Sequence, residues 1–393
     1  MQFVISKFSR ISGLILISLM LMGAGGNKGL NGDAYQELAD AGVDKYLGAF
    51  TPVISEDVGD GWTKHTFDPD GGNGPICIAG TPYSVFTRPG KGKGKDKGKG
   101  KGKGKSSKLL IFQQGGGACW QNFYFCNIFA EAQEQVSPEG IWDFDSKDNP
   151  FADHSIVYMP YCDGSTFNGD NDVIDPFFPL GGVRYHRGLR NQSAGMDLAS
   201  SMFPKAKQIT VAGSSAGGVG VAGFAPFLVR FLYGNKVKLT VFNDAGPVTV
   251  NLNEAAAVAA RAADWQFGQF FPASCTECDD LGQSTAIIQW RLDNDSTIRE
   301  AFYETDGDST NRFFINMTQP DFRDLIVTEH GMLNASHPKR YKNFIVAGDS
   351  SHTALQTPLF YTQDANGVLL NQWTKDFLKN KRSWYDIVED AVP

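Results

Sequence analysis

One hexapeptide in the chain has the spacing of a nucleophile turn: Gly213-Ser214-Ser215-Ala216-Gly217-Gly218. It contains G-x-S-x-G with Ser215 at the centre. Glycines two before and two after that serine let the backbone turn sharply from strand to helix. Such a turn lifts the hydroxyl above the C-terminal edge of a sheet. The flanks supply the required context: an apolar-rich run at 208–212 reads as a strand, and small residues over 217–232 read as a helix. Ser214 lacks the symmetric glycine frame. A serine in this position does acyl transfer once a base takes its proton.

In the α/β-hydrolase order the acid and then the histidine follow the serine. Three of six histidines lie downstream, His330, His337 and His352. His352 sits in Gly348-Asp349-Ser350-Ser351-His352-Thr353, directly after an apolar strand read at 343–347. That places it on the same sheet edge as Ser215, and we take it as the base. His330 and His337 precede that strand and are expected at the far edge or on the surface. The acid is expected after a strand read at 286–290, where Asp293 and Asp295 both stand. Spacing does not separate them, and either could cap a helix instead. The run Gly115-Gly116-Gly117-Ala118-Cys119-Trp120, after a strand at 109–113, fits an oxyanion loop. Its glycines permit close backbone approach. A Cys119–Cys126 bridge would stiffen it. The Ala216 N–H opens the helix after Ser215, where the backbone dipole favours developing negative charge.

Short apolar strands at 109–113, 155–159, 208–212, 238–242, 286–290 and 343–347 alternate with helical segments, including one at 191–202. This predicts an α/β fold of the α/β-hydrolase type, with a mostly parallel sheet covered by helices on both faces. Residues 27–393 are expected to form one such esterase domain. The segment before Thr87 is acidic and reads as loop-rich. Residues 90–106 form a Gly-Lys insertion with nothing to bury, expected to be disordered.

Lys7 and Arg10 precede a short apolar run at 11–22 and then Gly23-Ala24-Gly25-Gly26. Residues 1–26 therefore read as a signal peptide, and the protein as secreted. No other stretch is long and apolar enough to span a bilayer. Six cysteines suit that compartment. The short spacings pair Cys119 with Cys126 and Cys275 with Cys278, leaving Cys77 and Cys162. The net charge of −7 gives no reason to expect nucleic-acid binding. Residues 91–105 hold eight lysines and one aspartate, so the rest of the chain is near −14.

Three segments in order carry a resemblance: Gly115-Gly116-Gly117-Ala118-Cys119, Tyr161-Cys162-Asp163-Gly164-Ser165-Thr166-Phe167-Asn168-Gly169-Asp170, and the Ser215 hexapeptide. Together they resemble the pectin acetylesterase/Notum family of secreted serine esterases. The likeness runs from about Cys77 to the C-terminus and includes Phe242-Asn243-Asp244-Ala245-Gly246. It implies a Ser-Asp-His triad with Ser215 as nucleophile and His352 as base. Asp295 is the preferred acid, with Asp293 open. Gly116, Gly117 and Ala216 match the oxyanion donors. No metal and no cofactor are implied. The substrate would be an O-acylated carbohydrate, chiefly O-acetylated polysaccharide, or another ester. Longer-chain acyl esters are the enzyme alternative, and a non-catalytic carbohydrate-binding role is the other. A monomer is expected.

Overall fold

The apolar runs alternate in which face they bury. Leu109, Ile111, Val157, Met159, Ile209, Val211, Leu239 and Val241 enter one core, with Phe302 and Ile345. Leu110, Phe112, Ile156, Tyr158, Ala212, Phe242, Tyr303 and Phe344 enter the core on the opposite side. Side chains of successive strand residues point to opposite faces, so a strand apolar at every position must be covered on both.

In the computed structural model, which describes residues 29–69, 72–91, 106–130 and 137–392, these runs build one ten-stranded sheet. The strands in chain order are β1 (Ile54–Gly59), β2 (Trp62–Thr66), β3 (Ser84–Arg88), β4 (Lys108–Gln113), β5 (Gly117–Trp120), β6 (Phe123–Cys126), β7 (Ser155–Met159) and β8 (Asn171–Ile174). They continue with β9 (Val183–His186), β10 (Gln208–Ser214), β11 (Lys238–Asp244), β12 (Arg299–Thr305), β13 (Tyr341–Val346), β14 (Asp364–Ala365), β15 (Val368–Leu369) and β16 (Ile387–Val388). The large sheet runs β1-β2-β3-β7-β4-β10-β11-β12-β13-β16. From β7 to β16 neighbours are parallel, while β1, β2, β3 and β7 pair antiparallel. The pairs β5-β6, β8-β9 and β14-β15 are separate hairpins.

Before β13 the α-helices among the described residues are α1 (Gly32–Asp40), α2 (Gly188–Met202), α3 (Ala216–Ala222), α4 (Ala225–Tyr233), α5 (Ala255–Trp265), α6 (Thr285–Asn294), α7 (Ser309–Ile315) and α8 (Gln319–Ser336). Leu189 and Met196 of α2, Phe227 and Leu228 of α4, Ile287 of α6 and Ile326 of α8 cover one face. Trp373 and Phe377, from the helix Leu370–Lys379, cover the other. This is the α/β-hydrolase-like architecture that the strand pattern predicts.

Two readings change. The run 286–290 is helical, lying inside α6, and the strand of that sheet position is β12. Residues 54–88 contribute three strands instead of loop alone. Disulfides join Cys77 to Cys162, Cys119 to Cys126, and Cys275 to Cys278, as the spacings predict. The signal-peptide segment and most of the Gly-Lys tract lie outside the described residues. Among the described residues no single helix is long and apolar enough to cross a membrane.

Candidate active site

β10 ends at Ser214 and α3 begins at Ala216, so Ser215 alone makes the turn, at φ 56° and ψ −122°. Non-glycine residues rarely hold positive φ, and such outliers cluster at functional sites. Both flanking glycines are required sterically. A Cβ on Gly213 would fall 2.3 Å from the Gly217 carbonyl oxygen, and one on Gly217 2.0 Å from that of Gln113. The turn is further held by Ser215 N donating to the Asp244 carbonyl at 2.8 Å. Ser214 faces inward, and its Oγ donates to the Asp244 carboxylate.

Asp244, fully buried at the end of β11, ties this turn to the histidine loop. Its carboxylate also accepts from Ala354 N at 2.9 Å and Leu355 N at 3.0 Å. Burial raises its pKa, opposed by the Ser214, Ala354 and Leu355 hydrogen bonds and by the charge of His352. His352, in the loop after β13, places Nδ1 2.6 Å from Oδ2 of Asp308. Asp308 caps α7 just beyond β12. Its Oδ1 accepts from Thr310 N and Asn311 N, both at 2.9 Å. An acceptor on Nδ1 fixes the tautomer that leaves Nε2 free to take a proton. Among the described residues no hydrogen bond joins Ser215 Oγ to His352 Nε2. Catalytic hydrogen bonds of this kind are often long without substrate and tighten in its complex.

Neither acid candidate from the sequence reaches His352. Asp295 ends α6 and is buried in an ion pair with Arg230 at 2.7 Å. It also accepts from Thr297 and Ile298 backbone N–H groups. Asp293 is exposed and faces His337 at 3.0 Å. The displacement follows from 286–290 being helix: the first carboxylate beyond the true strand edge that meets His352 is Asp308. Removing one partner of a fully buried pair leaves an uncompensated charge. Asp295→Ala is therefore expected to destabilise the fold by about 3–5 kcal/mol. The folded fraction should keep its turnover number, as denaturant titration beside active-site-normalised kinetics would show.

His330 is buried, not at the surface. Its ring stacks on Phe302 with centroids 3.6 Å apart, and its nitrogens meet Tyr341 Oη and the Pro247 carbonyl. Burial holds its pKa down at about 4, so it stays neutral at pH 7.

The glycine loop after β4 runs against the turn. A Cβ on Gly115 would lie 2.8 Å from the Ser215 Cβ. Gly116 packs on Asn127 and Tyr161, and its carbonyl accepts from Asn127 N at 2.8 Å. Gly117, at φ 78°, sits so close to the Phe125 carbonyl that no side chain fits. The Cys119–Cys126 bridge closes this β5-β6 hairpin, and Trp265 Nε1 donates to the Cys119 carbonyl at 2.8 Å.

Gly117 and Ala216 line, with Ser215, a cavity of about 120 Å³. Its walls are largely apolar, and include Trp120, Phe224, Val248, Phe267 and Phe314. Thr166 and Asn168 add polar atoms from the Tyr161–Asp170 segment. That segment is shaped by buried Asp163, which accepts from Ser165 N, Ser165 Oγ and Phe167 N. Arg261 is the one charged residue of the lining among the described residues. Its Nε and Nη2 have no hydrogen-bond partner among the described residues, and its guanidinium lies 5.5 Å from the Trp265 ring. Burial lowers its pKa to about 10, partly offset by Asp280, so it remains charged at pH 7.

A family model described as Pectinacetylesterase matches residues 70–273, just over half of the chain. The chain belongs to the pectinacetylesterase family. This is a family of carboxylic ester hydrolases. The chain is also 30% identical over 129 residues to the palmitoleoyl-protein carboxylesterase NOTUM of Schmidtea mediterranea. That alignment covers 30% of this chain and 23% of the relative, so it spans under a quarter of the relative's length.

The pectinacetylesterase match covers the glycine loop, the Tyr161–Asp170 segment and the Ser215 turn. Asp308 and His352 lie beyond it. Sequence reasoning missed Asp308, although Asp308-Ser309-Thr310-Asn311 carries a helix N-cap signal. It also missed Arg291. That guanidinium pairs with Glu300 at 2.7 Å and donates to the Ala222 and Gly223 carbonyls at the α3-α4 break. An arginine two turns into an apolar helix gives little local sign of such a role.

Proposed function

We propose that the protein is a secreted serine carboxylic ester hydrolase whose triad is Ser215, His352 and Asp308. The observation that carries this reading is the meeting of three parallel-strand ends. Ser215 follows β10, Asp308 follows β12 and His352 follows β13, with Asp244 of β11 bonded to both the serine turn and the histidine loop. His352 Nε2 takes the Ser215 proton as Oγ attacks the ester carbonyl. Asp308 holds the imidazole and stabilises the imidazolium that forms. Backbone N–H groups of Gly117 and Ala216, which flank Ser215 in the cavity, receive the oxyanion, with Gly116 completing the loop. The imidazolium returns its proton to the leaving alcohol. Water, activated by His352, then releases the acid.

The acyl group occupies the apolar cavity. The rings of Trp120, Phe224, Phe267, Phe271 and Phe314 line much of its volume of about 120 Å³. An acetyl group leaves most of that surface bare. Burying further methylenes gains about 0.8 kcal/mol each. We therefore favour acyl chains longer than acetyl. Deacetylation of polysaccharide is the second reading, supported by the family description. Arg261 offers unused donors to an oxygen on the bound substrate. A series of p-nitrophenyl esters from acetate to laurate separates the readings. The expected result is kcat/KM rising beyond acetate by about two- to fourfold per methylene until the cavity is full. A maximum at acetate with a steep fall after it would favour deacetylation. The three disulfides are in keeping with an oxidising, extracellular setting.

A further inference from the structure

A second carboxyl group lies beneath the proposed acid and is used by no step above. Glu304, on β12, is completely buried. Its carboxyl group faces that of Asp308 across a shared donor, Asn311 Nδ2. Oε1 accepts from Thr305 N at 3.0 Å, and Oε2 from Asn311 Nδ2 at 2.9 Å. The same Asn311 amide nitrogen faces Asp308 Oδ2 and the Ala245 carbonyl, both at 3.0 Å. An amide NH2 has two protons, so it cannot fully serve three acceptors. Among the described residues no lysine or arginine pairs with either carboxyl group.

Two ionised carboxylates cannot share such a site at reasonable cost, so the pair keeps one proton. Its location follows from the donors. Asp308 receives two backbone N–H groups and His352 Nδ1, whereas Glu304 receives one backbone N–H and a share of Asn311. Hydrogen bonds to the charged form favour ionisation, so the proton rests on Glu304, the carboxyl group with fewer donors. Burial first, and the Asp308 charge second, push the Glu304 carboxyl well above its ordinary range.

We propose that Glu304 is a positioning residue which, protonated at neutral pH, donates its carboxyl proton to Asp308 and thereby holds the Asp308–His352 pair. The site thus carries one negative charge, aimed at His352 Nδ1, and not two. The surrounding titratable groups are His352 and Asp349 from the loop after β13, Asp244 of β11, the neighbouring Tyr303, and Asp306, which is paired with Arg323 of α8.

This inference rests on the Ser215–His352–Asp308 reading, so the experiment carries its own control. The pH dependence of kcat/KM on a p-nitrophenyl ester is compared for parent, Glu304→Gln, Glu304→Met and Asp308→Asn, with thermal unfolding of each. Glutamine keeps a neutral donor facing Asp308. Its rate is expected within about threefold of parent, with the acid limb unmoved. Methionine removes the donor, and kcat is expected to fall about tenfold with KM nearly unchanged. Its acid limb should move to higher pH, because a less satisfied Asp308 binds the imidazolium more strongly. Two results would overturn the proposal. One is a Glu304→Gln acid limb displaced to lower pH, the sign of a lost negative charge. The other is a Glu304→Met enzyme indistinguishable from parent. A parent-like Asp308→Asn enzyme would instead refute the triad itself.

Discussion

Asp308→Asn is expected to lower kcat by about 10⁴-fold while leaving the fold in place. The amide fills the same volume and can still be capped by Thr310 N and Asn311 N through its oxygen. It cannot stabilise the imidazolium, and its NH2 turned toward Nδ1 stabilises the wrong tautomer. Steady-state kinetics on a short p-nitrophenyl ester, with circular dichroism to verify folding, would measure it. Paired with Asp295→Ala, the outcome separates the carboxylate preferred from the sequence from the one that meets His352: Asp308→Asn should lose turnover, Asp295→Ala stability. Equal kinetic losses in both would mean that Asp308 has no special relation to His352.

Ser215→Ala is expected to remove turnover almost entirely, on the order of 10⁶-fold. The residual rate should be insensitive to a further His352→Ala change, because members of such a unit are not additive. Ser214→Ala is expected to be far milder. It deletes the donor to Asp244, which positions the turn and the histidine loop but touches no substrate. A loss of about tenfold is expected there. Similar losses from both serines would place the nucleophile assignment in error.

Much of the architecture could be read because parallel strands buried on both faces are short and apolar. Residues 109–113, 155–159, 208–212, 238–242 and 343–347 all behave so, and the Ser215 turn and His352 loop follow from them. The run Ala286-Ile287-Ile288-Gln289-Trp290 has the β-branched and aromatic content of a strand. It forms a helix buried on most sides: Ile287, Ile288, Trp290, Arg291 and Leu292 are all inside. A helix buried on most sides shows little helical period. The real strand, Arg299–Thr305, is disguised by charge. Glu300 is neutralised by Arg291, and Glu304 lies against Asp308. Both partners lie within nine residues in sequence, but Arg291 reaches Glu300 from the preceding helix, an arrangement that strand alternation does not announce. The carboxylate that meets His352 therefore sits one element further on than spacing suggests.

The antiparallel β1 is hidden for the opposite reason. β1 lies at the sheet's edge with almost every residue exposed, so it has no buried face to produce alternation.

The most direct test of the account is covalent trapping by a fluorophosphonate ester, which reacts with an activated serine hydroxyl. Intact mass followed by peptide mapping should find a single phosphonyl group on Ser215, in proportion to lost esterase activity. Labelling should be absent in Ser215→Ala and strongly slowed in His352→Ala. Stoichiometric labelling at another serine, or full loss of activity with Ser215 unmodified, would contradict it.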